Sequence, residues 1–153
     1  MSSDSLNEFW DWAVARYEDA QVREGLLELQ ETAGIIILEV LFLAWLGHRG
    51  QVISQQDQQC IREAITPWVE GVVLPLRRQR HAWTDNPLMA TNRGHLLGLE
   101  LEAERVLANL LIKALAIGDI ARGETPAVDE NLTFPSELKA PEIYERVTQM
   151  LGR

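Results

Sequence analysis

Cysteine is almost missing from this chain: Cys60 is the only one among 153 residues. No intrachain disulfide can form, which excludes a disulfide-stapled scaffold. Met1 to Ser5 carries neither a basic start nor an apolar core, so no secretion signal is expected there. Long hydrophobic runs are lacking too. The longest, Ile35 to Gly47, has Glu39 inside it; as a helix it would span about 20 Å, short of the roughly 30 Å a bilayer demands. Positive charge is scarce, with 14 Lys and Arg against 23 Asp and Glu and a net charge of −9. A field of that sign repels phosphate backbones and anionic lipid, so the sequence points to a cytoplasmic protein with no DNA or membrane partner.

Apolar residues make up 46% and charged residues 24% of the chain, the balance of one ordinary globular domain. Charge is uneven along it. The middle third holds Arg62, Arg77, Arg78, Arg80 and Arg93 against Asp57, Glu63, Glu70 and Asp85, while both flanking thirds are acidic.

Apolar periodicity is helical throughout, and no stretch alternates as a strand does. Leu6, Phe9, Trp10, Ala13, Val14 and Tyr17 recur at spacings of three and four, after a Ser5-x-x-Glu8 capping-box pattern. Asp19 can cap a second helix, Ala20 to Ala33, which Gly34 stops. Ile35 to Gly47 is apolar nearly all round, as in a helix enclosed by others. Ser54 and Asp57 form a second capping-box pattern, followed by a stripe of Ile61, Ile65, Trp68, Val72 and Leu76. Pro67 and Pro75 interrupt that stripe, leaving open whether one bent helix or two run there. Asp85-Asn86-Pro87 signals a turn, and a long helix capped by Thr91 or Asn92 is expected to end near Ile120. The expected fold is all-α: a single-domain bundle of five or six helices over residues 1–121. An extended, proline-containing arm over 122–153 follows, with Ile143, Val147, Met150 and Leu151 on a short C-terminal helix.

Motifs for catalysis are missing. His48, His81 and His95 have no second ligand three or four residues away, so no paired metal-binding spacing exists. Phosphate-cradling glycine loops and nucleophile elbows do not occur. The sequence therefore nominates no catalytic residue, no metal and no cofactor. Glu100 and Glu104, one helical turn apart, have no second acidic pair to complete a cation site.

Three groups of residues remain as candidates. Glu39 lies in the most apolar helix, where a bare carboxylate is costly. It must take up a proton, pair with a base such as Arg77, Arg105 or Lys113, or face solvent. Arg77, Arg78, Arg80, His81 and Trp83 form a basic cluster suited to an anionic partner, or to compensating a helix end and pairing with the chain's own acids. Five tryptophans is a high count. Trp45 and Trp68 fall on core stripes; Trp10 and Trp12 diverge by about 200° on their helix, so Trp12 is expected to turn outward if Trp10 turns in.

Taken in order, Phe9-Trp10-Asp11-Trp12-Ala13, Leu29-Gln30-Glu31, Leu41 to Gly47, Pro67-Trp68, Val72 to Arg77 and Glu100 to Glu104 resemble an uncharacterised proteobacterial family of small helical proteins, catalogued as a domain of unknown function. The likeness spans about residues 5–118 and implies the helical fold without implying an activity. In the family pattern the third helix opens with an aspartate and an asparagine, where this chain has Ile36 and Leu38, with an acid at Glu39 instead. Arg77 and Glu104 match that pattern.

Function is expected to be one of three kinds. The first is a non-enzymatic module presenting Arg77, Arg78, Arg80, His81, Trp83 and Trp12 to a protein partner. The second is a small-ligand protein or enzyme using an interhelical pocket of Glu39, Trp45, Trp68, Arg77 and Glu104. The third is an RNA or ribosome contact through the arginines.

Overall fold

A computed structural model describes residues 3–115, 127–132 and 141–153. Among them there are helices and no strands. Six helices build the bundle: α1 (Ser3–Glu18), α2 (Ala20–Ala33), α3 (Ile37–His48), α4 (Gln55–Trp68), α5 (Leu74–Ala82) and α6 (Ala90–Ala114). Two more follow, α7 (Val128–Asn131) and α8 (Pro141–Leu151). The expected extension of α6 to Ile120, and Pro126 and Pro135 of the arm, lie outside the described residues.

Helix boundaries follow from local chemistry. Asp19 accepts the backbone N–H groups of Gln21 and Val22 and so opens α2, and Gly34 closes it in the left-handed region at φ 68°. The Ser54 side chain accepts from the Asp57 N–H, while the Asp57 carboxylate accepts from the Ser54 N–H, completing the capping box of α4. The Ser5–Glu8 pattern does not mark the start of α1, which already begins at Ser3. Ile35 and Ile36 stay outside α3: Ile36 is extended and has no side chain to cap with. Neither Thr91 nor Asn92 starts α6; the Asn86 side chain instead opens a short 3₁₀ turn, Pro87–Met89, that runs into it.

Helix α3 is the centre of the molecule. Every residue from Glu39 to Gly47 is buried, and the helix packs on α1, α2, α6 and α7. Phe42 meets Phe9 edge-on at 5.2 Å between ring centroids, and Trp45 lies against both rings. Buried Leu26, Leu29, Ile61, Ile65, Leu107 and Leu111 complete the core from α2, α4 and α6.

Beyond α6 the described chain is tied back onto this centre. Asn131 is fully buried; its amide donates to the Leu43 and Gln51 carbonyls and accepts the Ile53 N–H at 2.8 Å. The Ala127 N–H donates to the Gly47 carbonyl at 2.7 Å, and a Cβ at Gly47 would stand 2.6 Å from the Val128 backbone. Glycine is required there by close approach. Helix α8 packs on α2, with Val147 pressed against Gly25 in the same way.

Between α4 and α5 the helix is not interrupted but widened. Val69–Val73 forms a π-helical segment between Pro67 and Pro75. A π turn takes more residues per revolution than an α turn, so side chains four apart stay in line. The inward row is therefore Ile61, Ile65, Val69 and Val73, where α-helical spacing predicted Trp68, Val72 and Leu76 to follow Ile65.

Candidate functional site

That widened turn decides which way the arginines point. Continuing the row past Val73 brings Arg77, and then Arg80, to the inner side of α5, while Arg78 and His81 face solvent. The Arg80 Nε donates to Glu100 Oε2 at 2.6 Å, and Arg77 Nη2 lies 3.9 Å from Glu104 Oε1. The four residues form two rungs between α5 and α6, one tight and one loose. Trp83, at the end of α5, is half-buried. Helical spacing groups Arg77, Arg80 and His81 on one face and turns Arg78 elsewhere; around α5 His81 instead joins Arg78 in solvent.

The rungs stand in the wall of a cleft with two lobes. One, of about 520 Å³, runs between the α2–α3 joint, α4, the π segment and α5, and includes Gly34, Ile36, Arg62, Glu70 and Leu74 in its lining. The other, of about 350 Å³, lies between α1, α2, α5 and α6, against Trp10, Val14, Tyr17, Leu27, Leu41 and Leu101. Gln30, Ile37, Leu38, Arg77 and Glu104 line both lobes, which adjoin along them.

Electrostatics in the cleft are tuned by its walls. Partial burial pushes the Glu104 carboxyl, whose side chain is still 43% exposed, above the usual range; the Arg77 guanidinium opposes the rise, Glu100 adds to it, and Arg80 opposes it. The Tyr17 phenol is raised by burial and then by Glu104, so it stands as a neutral hydroxyl. Arg23 supports this corner by donating to the Tyr17 and Glu18 carbonyls. Among the described residues, the buried Glu100 Oε1 has no hydrogen-bond partner.

Glu39 finds a different partner from those the sequence suggested. Arg77, Arg105 and Lys113 do not reach it; Arg62 of α4 does, bidentately, with Nε at 2.9 Å and Nη2 at 2.6 Å. Glu39 is 2% exposed and sits in the first turn of α3, where its charge also complements the helix dipole. That bond raises the Arg62 pKa, against an opposing contribution from burial. Arg62 carries the pair to the wall of the larger lobe.

Trp45 and Trp68, expected to line the pocket, do not. Trp45 is in the core beneath the Arg49 guanidinium, 4.7 Å from its ring centroid. Trp68 donates its indole N–H to the Ala103 carbonyl at 2.8 Å, fastening α4 to α6. Trp12 is half-buried between the His48 ring and Arg16 and lines neither lobe. Trp10, under Arg105, is the tryptophan that reaches the cleft.

Tyr17, Arg62 and Leu38 were missed as cleft residues. Tyr17 and Leu38 read as core, because a helical stripe carries no mark of where its covering neighbour ends. For Glu100, the spacing to Glu104 was the available signal. Among the described residues no group of three or more His, Cys, Asp or Glu could hold a metal ion, and no helix is long and apolar enough to cross a membrane.

A family model described as "Protein of unknown function (DUF2390)" matches residues 8–111, a span that contains the whole cleft. Neither the curated proteins nor the solved structures contain a match.

Proposed function

We propose that this chain, which belongs to the DUF2390 family of proteins of unknown function, is a binding protein that takes an amphipathic small molecule in the cleft between α1, α2, α5 and α6. One observation carries the reading. Arg77 stands in the wall common to both lobes, its side chain only 22% exposed, and its ion pair is a loose 3.9 Å contact. A guanidinium held inside an apolar cleft with donors to spare is the orienting polar group that small-molecule sites employ. The lobes have the volume of such sites. Their lining contains no histidine, cysteine or serine; its hydroxyls are Thr66 and a Tyr17 held neutral, and Glu100 and Glu104 face arginines, an arrangement that supports binding. A cytoplasmic setting belongs to the proposal; the exposed thiol of Cys60 suits a reducing compartment.

Titrating isotope-labelled protein with a small-molecule library tests this. Binders are expected to shift Trp10, Leu38 and Leu101 together, and Leu101→Glu, at an exposed lip position, to abolish those shifts. Shifts confined to residues outside the cleft would sink the reading.

A protein partner is the second reading, favoured by the surface of α5 and early α6. Leu88, Leu97, Leu99 and Leu101 are 91%, 44%, 48% and 58% exposed, beside solvent-facing Arg78 and His81. Recovery of one protein from lysate by the wild type, lost in folded Leu97→Glu, would favour it. An RNA contact is weakened by the inward turn of Arg77 and Arg80, which leaves Arg78 alone of the three arginines facing solvent.

A further inference from the structure

Arg77 and Arg80 lie three residues apart on one helix and face two carboxylates one turn apart on another. Their engagement differs. Arg80 is committed to Glu100 at 2.6 Å, while Arg77 touches Glu104 only at 3.9 Å. Beside them, Val14, Leu27 and Leu101 leave 41%, 37% and 58% of their surface uncovered along the smaller lobe. An available guanidinium next to uncovered apolar surface asks for a ligand with an anionic end and a hydrocarbon body.

We propose that the cleft is built for hydrophobic monocarboxylic acids, whose carboxylate takes Arg77 from Glu104 while Glu104 takes up a proton. This rests on the binding reading above and names its ligand class. Charge balance selects the class. At the rungs two guanidiniums face two carboxylates, and Glu18 adds a third carboxylate to the smaller lobe, so an incoming anion deepens a negative excess unless a carboxyl is neutralised. A monocarboxylate with a protonated Glu104 leaves the charge of the lobe as it was; a doubly charged phosphate would not. The guanidinium fork also matches the two oxygens of a planar carboxylate.

Glu104 is placed to accept that proton. Burial already raises it, and Arg77 is the foremost influence opposing the rise. A ligand anion on Arg77 offsets that opposition. Around it stand Tyr17 of α1, Arg77 and Arg80 of α5 and Glu100 of α6, while Glu18 of α1 lines the same lobe and Arg23 of α2 acts on Tyr17. The unpartnered Glu100 Oε1, one turn away, can receive the new O–H as a hydrogen bond. No bond other than that to the proton forms or breaks, and solvent supplies the proton.

Linkage fixes the sign: if binding takes up a proton, acidification tightens binding. The test is calorimetry with decanoate, 1-decanol and decyl phosphate, in buffers of different ionisation enthalpy. Decanoate, ionised across the range from about pH 8 to about pH 6, is expected to bind with net proton uptake and more tightly at the lower pH. Decanol and decyl phosphate are each expected to bind about tenfold more weakly or worse. In Glu104→Gln decanoate binds at least as tightly, with uptake and pH slope gone. In Arg77→Leu, checked by circular dichroism, decanoate falls to the level of decanol; Arg77→Lys, which keeps the charge without the fork, gives an intermediate loss. Equal binding of decanoate and decanol, both abolished by Leu101→Glu, overturns the carboxylate proposal and leaves the cleft reading standing. Tighter decyl phosphate, or an unchanged pH slope in Glu104→Gln, overturns it as well. Silence from all three probes overturns it too, and the library titration then decides the cleft reading separately.

Discussion

The two halves of α6 inhabit different molecules in all but covalent structure. From Ala103 to Ile112 the helix buries Ala103, Leu107, Ala108, Leu111 and Ile112 against the core. From Ala90 to Glu102 it buries no residue fully, and neither does its neighbour α5. Yet Arg80 and Glu100, and exposed Leu97, Leu99 and Leu101, all lie in that second region. The comparison teaches a division of labour. Burial around α3 supplies the free energy that keeps the chain folded, and the α5–α6 hairpin, contributing little, has its surface left over for binding.

Substitutions can break this division, and the largest effects fall on the core side. Phe42→Ala removes a fully buried ring and is expected to cost about 3–5 kcal/mol in urea unfolding. Leu97→Ala on the hairpin should stay within about 0.5 kcal/mol. Comparable losses at the two sites would refute the division outright.

A second pair of variants sharpens it at the boundary, where α3 meets the cleft. Arg62→Ala strands the 2%-exposed Glu39 and is expected to cost about 3 kcal/mol. Glu39→Gln leaves Arg62, half of it in solvent, free to turn outward, and should cost about 1 kcal/mol. Equal costs would mean that the pair is no more buried on one side than on the other.

The smallest effect belongs to Glu104, and it depends on pH. The carboxyl is raised above its ordinary value of 4.5, so the folded chain holds a proton that the unfolded chain releases in the window from about 4.5 up to the raised value. Native protein then binds more protons than unfolded, and stability falls as pH climbs through that window. Glu104→Gln should melt like the wild type below about pH 4.5, and slightly higher than it at neutral pH. A variant less stable at neutral pH would show that Arg77 outweighs burial.

Much of the architecture was legible because it is written locally. Asp19, Gly34, Ser54 and Asp57 each act within a few residues, so α2 and the start of α4 follow from the sequence. The enclosure of α3 follows from its unbroken apolar surface. The cleft was less legible, since it depends on pairings across the fold. Glu39 announces that it needs a partner without naming Arg62, which lies on another helix and is half-exposed. Arg77 and Arg80 announce a basic cluster, but their facing depends on a turn whose period differs from the one assumed. Sequence periodicity presumes 3.6 residues per turn, and Val69–Val73 departs from it.

That departure also decides which changes the cleft forgives. A widened turn is one additional residue absorbed within a helix, so losing a single codon between Val69 and Val73 would restore ordinary winding and leave Arg77 and Arg80 facing much as they do now. Ordinary winding at the present length is the disruptive change. It would turn α5 by up to about 100° and carry both arginines off the row they share with Val73. A lineage can therefore shorten this stretch by one residue more safely than it can straighten it.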